Sequence, residues 1–177
     1  MKKVFYTAAI AVLTLAVGCK KDDNSMNSGD TYYLSAKVNG TSVSYNTTNT
    51  TDLIADYDPA ANPGAAPTLQ IVAQDANGGF TFFIGDGYVG DTYLQGSSYN
   101  GIGSYNMPQD SVLSACYYNV QSVDWATIYG TQYTGNVTIT SDANNVVEGT
   151  FSFDGVGNDA TASVKHITEG KFRLPRQ

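Results

Sequence analysis

The chain has 177 residues, with nine Lys and Arg against sixteen Asp and Glu, one His, and a formal net charge of −7. An acidic chain of this kind has no basic patch to displace counterions from a phosphate backbone, so nucleic acid is excluded as a partner. Thirteen Tyr and eighteen Gly with 14% charged residues mark a β protein, since Tyr, Thr, Val and Phe fill strands while Gly and Asn punctuate them.

The chain opens on a processing segment. Lys2 and Lys3 precede an apolar run, Val4 to Val17, that is too short to span a bilayer as a stable helix. It ends in the small residues Ala16, Val17 and Gly18. Residues 1–18 therefore read as a signal peptide and take no part in the fold. Ala16-Val17-Gly18-Cys19 looks like a bacterial lipobox, which makes Cys19 the lipidated first residue of the mature protein. Lys20, Lys21, Asp22 and Asp23 resemble the export signal of Bacteroidota surface lipoproteins, and the polar run to residue 31 serves as a flexible tether. The expected location is the outer membrane, facing the cell surface, with the membrane reached through the lipid on Cys19. The mature chain of 159 residues keeps seven basic and sixteen acidic side chains, and its length suits a single domain over residues 32–177.

Strand signals then follow one another. Tyr33 to Val38 alternates and ends in Asn39-Gly40, a hairpin signal, with Thr41 to Tyr45 returning. Leu53 to Ala55 is a short strand, and three prolines and a glycine make residues 56–67 a loop. Thr68 to Gln74 and Phe80 to Ile84 are strands about a turn at residues 75–79, and Asp91 to Gln95 is a short one. Residues 96–109, rich in Gly, Ser, Tyr and Asn, read as a long loop, followed by strands at Ser111 to Tyr118 and Trp125 to Tyr129. In the last third Val137 and Ile139 alternate with threonines. Val147, Gly149, Phe151 and Phe153 share one face of the next strand, with Glu148, Thr150 and Ser152 on the other. A glycine-rich turn at 154–159, strands carrying Ala162, Val164 and His166 and then Phe172 and Leu174, and a turn at 168–170 complete a four-strand meander. The whole predicts an all-β fold, an antiparallel sandwich of about ten short strands, with a small β-barrel as the alternative.

"YLSAKVNG" near the start of the domain and "GTFSFDG" with "HITEGKFRL" near its end resemble a family of uncharacterised Bacteroidota lipoproteins. The resemblance implies an extracytoplasmic β domain and supplies no catalytic residue.

Several motifs are candidate sites. Residues 85–90, "GDGYVG", match G-x-G-x-x-G, yet a β-like stretch follows where a dinucleotide site needs a helix, so a tight connection is expected. With His166 as the one imidazole and Cys116 as the one cysteine left after Cys19, no metal cluster of the usual ligand types is expected, and no cofactor. Cys116 is expected to be a buried small hydrophobe. His166 is expected beside the core, bonded to backbone, because its alternation with Val164 places it on the apolar side. Glu148 and Glu169 form no evident acid pair, and calcium is a minor alternative at the oxygen-rich stretches. Asp110-Ser111-Val112 resembles an O-glycosylation signal.

Aromatic residues crowd residues 88–133, and Tyr99, Tyr105 and Trp125 are the candidate ligand-binding side chains, since exposed Tyr and Trp stack on sugars or protein. The leading functional expectation is a non-enzymatic binding or accessory module, with a glycan or a protein as ligand. A small-ligand carrier in a barrel comes second, and a hydrolase with a carboxylate site third.

Overall fold

The computed structural model describes residues 32–59, 67–85, 87–89, 92–94, 99–107, 115–129 and 134–177, with the backbone alone at 87–89, 92–94 and 129. The leader, Cys19, the export signal, the tether and Asp110-Ser111-Val112 lie outside the described residues.

Thirteen strands account for most of what is described: β1 (Tyr33–Val38), β2 (Thr41–Asn46), β3 (Asp52–Asp58), β4 (Thr68–Asp75), β5 (Gly78–Ile84), β6 (Gly87–Val89), β7 (Thr92–Leu94), β8 (Gly103–Met107), β9 (Ala115–Val120), β10 (Val123–Ala126), β11 (Gly135–Ala143), β12 (Val146–Gly157) and β13 (Val164–Pro175). Their turns follow from local chemistry. Asn39 and Gly40 take φ of 48° and 81°, and Asn144 and Asn145 take 55° and 58°, so the β1–β2 and β11–β12 hairpins use the left-handed conformations that match strand twist. At the β4–β5 turn the Asp75 carboxylate accepts hydrogen bonds from the backbone N–H groups of Asn77 and Gly78.

The strands build two layers. One runs β2-β1-β13-β12 and continues through β11 to β8. β12 outruns β11, and its far end pairs with β10, Trp125 lying opposite Gly157. From there β10-β9-β5-β4-β3 form the second layer. All these ladders are antiparallel. A parallel bridge from Ala55 to Arg176 then joins β3 to the end of β13, so the sheet nearly closes on itself. The described fold is thus all-β and antiparallel, and it satisfies both a sandwich and a small barrel. β6 and β7 pair separately as a hairpin, so "GDGYVG" leads into a strand and not a helix.

The interior is filled by rings. Phe80 and Phe82 of β5 meet Phe151 of β12 at centroid distances of 5.4 and 4.5 Å, and Tyr45 of β2 sits edge-on to Phe80 at 5.8 Å. Phe151, Phe153 and Phe172 are buried as the alternation requires, while Thr150 and Ser152 are exposed. Val164 is only half-buried. Cys116 is fully buried, and burial pushes its thiol well above the usual range. Burial also raises Tyr45 from 10.0 to about 12, and raises Tyr99 and Tyr118. The folded chain therefore holds phenol protons that the unfolded chain releases near pH 10, so stability is intact below pH 10 and falls as pH rises toward 12. Thermal melts from pH 8 to 12 should drop beyond pH 10, and Tyr45→Phe should flatten part of that drop. An unchanged slope in the variant would mean Tyr45 titrates elsewhere.

Five elements differ from the sequence expectation. β3 runs on through Asp56 and Asp58, β8 lies inside the expected loop at 96–109, and β12 continues to Gly157 through the expected turn. Trp125 ends in β10, and residues 127–129 form a 3-10 turn. The two expected terminal strands are one strand, β13, because residues 168–170 form a bulge rather than a turn. Glu169 takes a φ of 54° there, and the register shifts against both β1 and β12. The bulge inverts side-chain parity. Ile167 is consequently buried and His166 exposed, opposite to the expectation for His166.

Candidate functional site

The bulge and the early end of β11 leave a cleft of about 600 Å³ on the outer face, where β8, β11, β12 and β13 meet. Its floor is apolar: Met107, Phe153 and Ile167 lie there, each nearly inaccessible to solvent. Gly135 belongs to the same floor, and a Cβ on it would lie 2.8 Å from that of Phe153. The walls are polar and mostly neutral, from Asn106, Thr134, Asn136, Ser152, Asp154 and Thr168.

The wall groups are held by one another. Asn136 Nδ2 donates to Asn106 Oδ1 at 3.1 Å, Thr138 Oγ1 donates to Asn136 Oδ1 at 2.9 Å, and the Thr138 and Ser104 hydroxyls lie 2.8 Å apart. His166 Nδ1 is 2.8 Å from Asp154 Oδ1, a contact exposed to solvent. The carboxylate fixes that ring nitrogen as the protonated one. His166 also anchors the β1–β2 turn through its backbone, its N–H donating to Asn39 Oδ1 and its carbonyl accepting from Asn39 N–H. Asp154 is the one carboxylate lining the cleft among the described residues. No three of His, Cys, Asp and Glu gather at metal-binding distance among the described residues, and no described helix is long and apolar enough to cross a membrane.

The aromatic candidates lie elsewhere and are covered. Tyr99 and Tyr105 are 3% and 6% exposed, their rings stacked at 5.7 Å. Tyr99 donates its hydroxyl to Asp142 Oδ2 at 2.7 Å. Tyr105 donates to the Gly101 carbonyl at 2.6 Å and accepts from Asn100 N–H. Asp142 also pairs with Arg176, whose guanidinium lies 4.1 Å from the Tyr57 ring centroid. This cluster ties β3, β8, β11 and the end of β13 together. Trp125 is 8% exposed, its Nε1 donating to Ser163 Oγ at 3.0 Å with Lys165 Nζ over its ring. A buried phenol or indole needs a polar partner, and each of these has one, at long range for Tyr99 and Trp125 and within five residues for Tyr105. The expected aromatic shelf is therefore corrected: these three side chains are packed, and the open polar surface is the cleft. Sequence reasoning missed Asn106, Asn136, Ser152, Asp154 and Thr168 as a group. Only the clean alternation around Ser152 and Asn136 marked any of them as outward-facing.

Fold and site together define a β domain with a neutral, hydrogen-bonding cleft on one outer face. The chain belongs to the family described as Domain of unknown function (DUF6252), whose model matches residues 60–174. That match spans the middle of the chain and the closing motif, and begins after the "AKVNG" opening. No curated protein and no solved structure matches the chain.

Proposed function

We propose that the protein is a lipid-anchored, surface-exposed lipoprotein of a Bacteroidota outer membrane, acting as a non-enzymatic module that binds a carbohydrate. The observation that carries this reading is the cleft: amides, hydroxyls and one carboxylate stand around an apolar floor. Sugars present hydroxyls around apolar C–H faces, and such walls can both donate to and accept from them. Two-acid hydrolysis would need a second carboxylate facing Asp154, which favours binding over turnover. The rings of Phe80, Phe82, Phe151 and Phe153 occupy the space between the layers, which favours an external site over an interior carrier.

The purified full-length chain in detergent should retain glycans on an array. Ser152→Trp, which fills the cleft from an exposed wall position, should lose them while melting like the wild type. No retained glycan, or unaltered binding by Ser152→Trp, would defeat the reading. The anchor is tested separately. Labelled fatty acid should enter the wild type and not Cys19→Ala, since two acyl chains hold a protein firmly to membrane. Wild type without label would remove the anchor.

A further inference from the structure

The basic side chains of the domain are not scattered. Residues 32–177 carry five Lys and Arg against thirteen Asp and Glu, a formal −8, and four of the five lie on or beside two neighbouring strands: Lys37 on β1 and Lys165, Lys171 and Arg173 on β13. The fifth, Arg176, follows β13 and is spent on Asp142. On the outer face of this layer the carboxylates are matched. Lys37 Nζ is 2.9 Å from Glu169 Oε1, Arg173 pairs with Glu148, and Asp154 faces His166. Lys165 lies over Trp125. Lys171 is exposed and makes no ion pair among the described residues.

Across the strands the neighbours of Lys171 are hydroxyls, while along β13 it is flanked by Glu169 and Arg173, each held in an ion pair. The registers place Ser44, Ser35, Lys171, Thr150, Thr138 and Ser104 in one row across six strands. At about 4.8 Å between strands the row is roughly 24 Å long. The next outward-facing row holds Asn106, Asn136 and Ser152, which with Thr168 at the bulge are cleft walls. Lys171 thus stands beside the cleft mouth on a face of hydroxyls. Asp154 lies four positions along β12 from Thr150, the partner of Lys171, about 13 Å of strand at ~3.3 Å per residue, more than one sugar ring.

We propose that the carbohydrate is an extended anionic polysaccharide, bearing carboxylate or sulfate groups, that runs from the cleft across this face and places a negative group on Lys171. The proposal rests on the carbohydrate reading of the cleft and adds charge and length to it. Asp154 accepts from sugar hydroxyls at one end, and Lys171 donates to the anion at the other. Ser152 lies between them on β12, and the Lys37–Glu169 and Arg173–Glu148 pairs beside Lys171 carry no net charge, so the strongly acidic remainder of the domain confines the polyanion to this one face.

The test uses the full-length chain in detergent against four immobilised probes: polygalacturonate, chondroitin sulfate, and the neutral polymers xylan and dextran. Binding to one or both anionic probes should exceed binding to the neutral ones and weaken with salt. Lys171→Gln should lower that affinity by about tenfold, the scale of one charge-assisted hydrogen bond, and Lys171→Glu should abolish it. Both variants should melt like the wild type, since the side chain is exposed. Neutral probes bound as tightly as anionic ones, with Lys171→Gln unaltered, would overturn this proposal and leave the carbohydrate reading standing. Anionic binding that ignores both Lys171 variants would overturn the assignment of the face. No binding to any of the four, nor to an array, would overturn both.

Discussion

Phe151→Ala should cost about 3–5 kcal/mol, which is a large share of the stability of a single domain. Phe151 lies at the junction of the two layers. Its ring is 4.5 Å from Phe82, 5.4 Å from Phe80 and 6.4 Å from Phe172, and it is 4% exposed. Removing it leaves a void bounded by other rigid rings, which cannot collapse into it. The melting temperature should fall by roughly 6–20 °C for a domain of this size. Thr150→Ala, one residue away on the exposed face, should change stability by less than about 0.5 kcal/mol. Equilibrium denaturation of the two variants side by side decides the matter. A loss below about 1 kcal/mol for Phe151→Ala would mean the ring does not bridge the layers.

Gly170→Ala should destabilise by about 1–3 kcal/mol or more, although it adds a single methyl group. Phe151 lies directly opposite Gly170 across β12 and β13, and Phe172 directly opposite Gly149. Each glycine leaves the space that its partner's ring covers. A Cβ at Gly170 would lie 2.5 Å from the Phe151 carbonyl oxygen and 2.6 Å from its ring, and one at Gly149 would lie 2.5 Å from Cζ of Phe172. The clash involves backbone as well as side chain, so no rotamer change relieves it. The control is Gly101→Ala. Gly101 faces open space, so its cost should come from a φ of +88° alone. Gly170→Ala melting at the wild-type temperature would show that the two strands stand further apart than described.

The alternation of Val147 to Phe153 was legible because β12 is buried on one side over its whole length, and period-2 patterning then has one meaning. Asn39-Gly40 announced its hairpin because few residues accept two consecutive left-handed conformations. β8 was hidden for the opposite reason. Gly103, Ser104 and Asn106 have loop-like character, and the strand exists because β11 supplies its hydrogen bonds. His166 was misplaced because the residues that set its parity mislead: Ala162 is exposed and Val164 only half-buried, and the buried side chain of that stretch is Ile167. Tyr99 and Tyr105 were read as exposed since the groups that satisfy their hydroxyls, Asp142 and the Gly101 carbonyl, come into reach only in the folded chain. The cleft was illegible as a whole. Its walls come from four strands spread between Asn106 and Thr168, and each residue alone reads as an ordinary polar filler of a wet face.

The pairing of β1 with β13 has a consequence for biogenesis. The first strand has as its neighbours β2 and a partner more than 120 residues later in the chain, and the bridge at Ala55 also waits for Arg176. A polypeptide emerging amino end first cannot complete the layer that holds β1, nor close the sheet at Ala55, until its final strand has appeared. Contacts of such long sequence separation make folding slow. Until the final strand arrives the β1–β2 hairpin, too small to be stable alone, has only its own ladder to hold it, and the last strand to form sets the pace for the first.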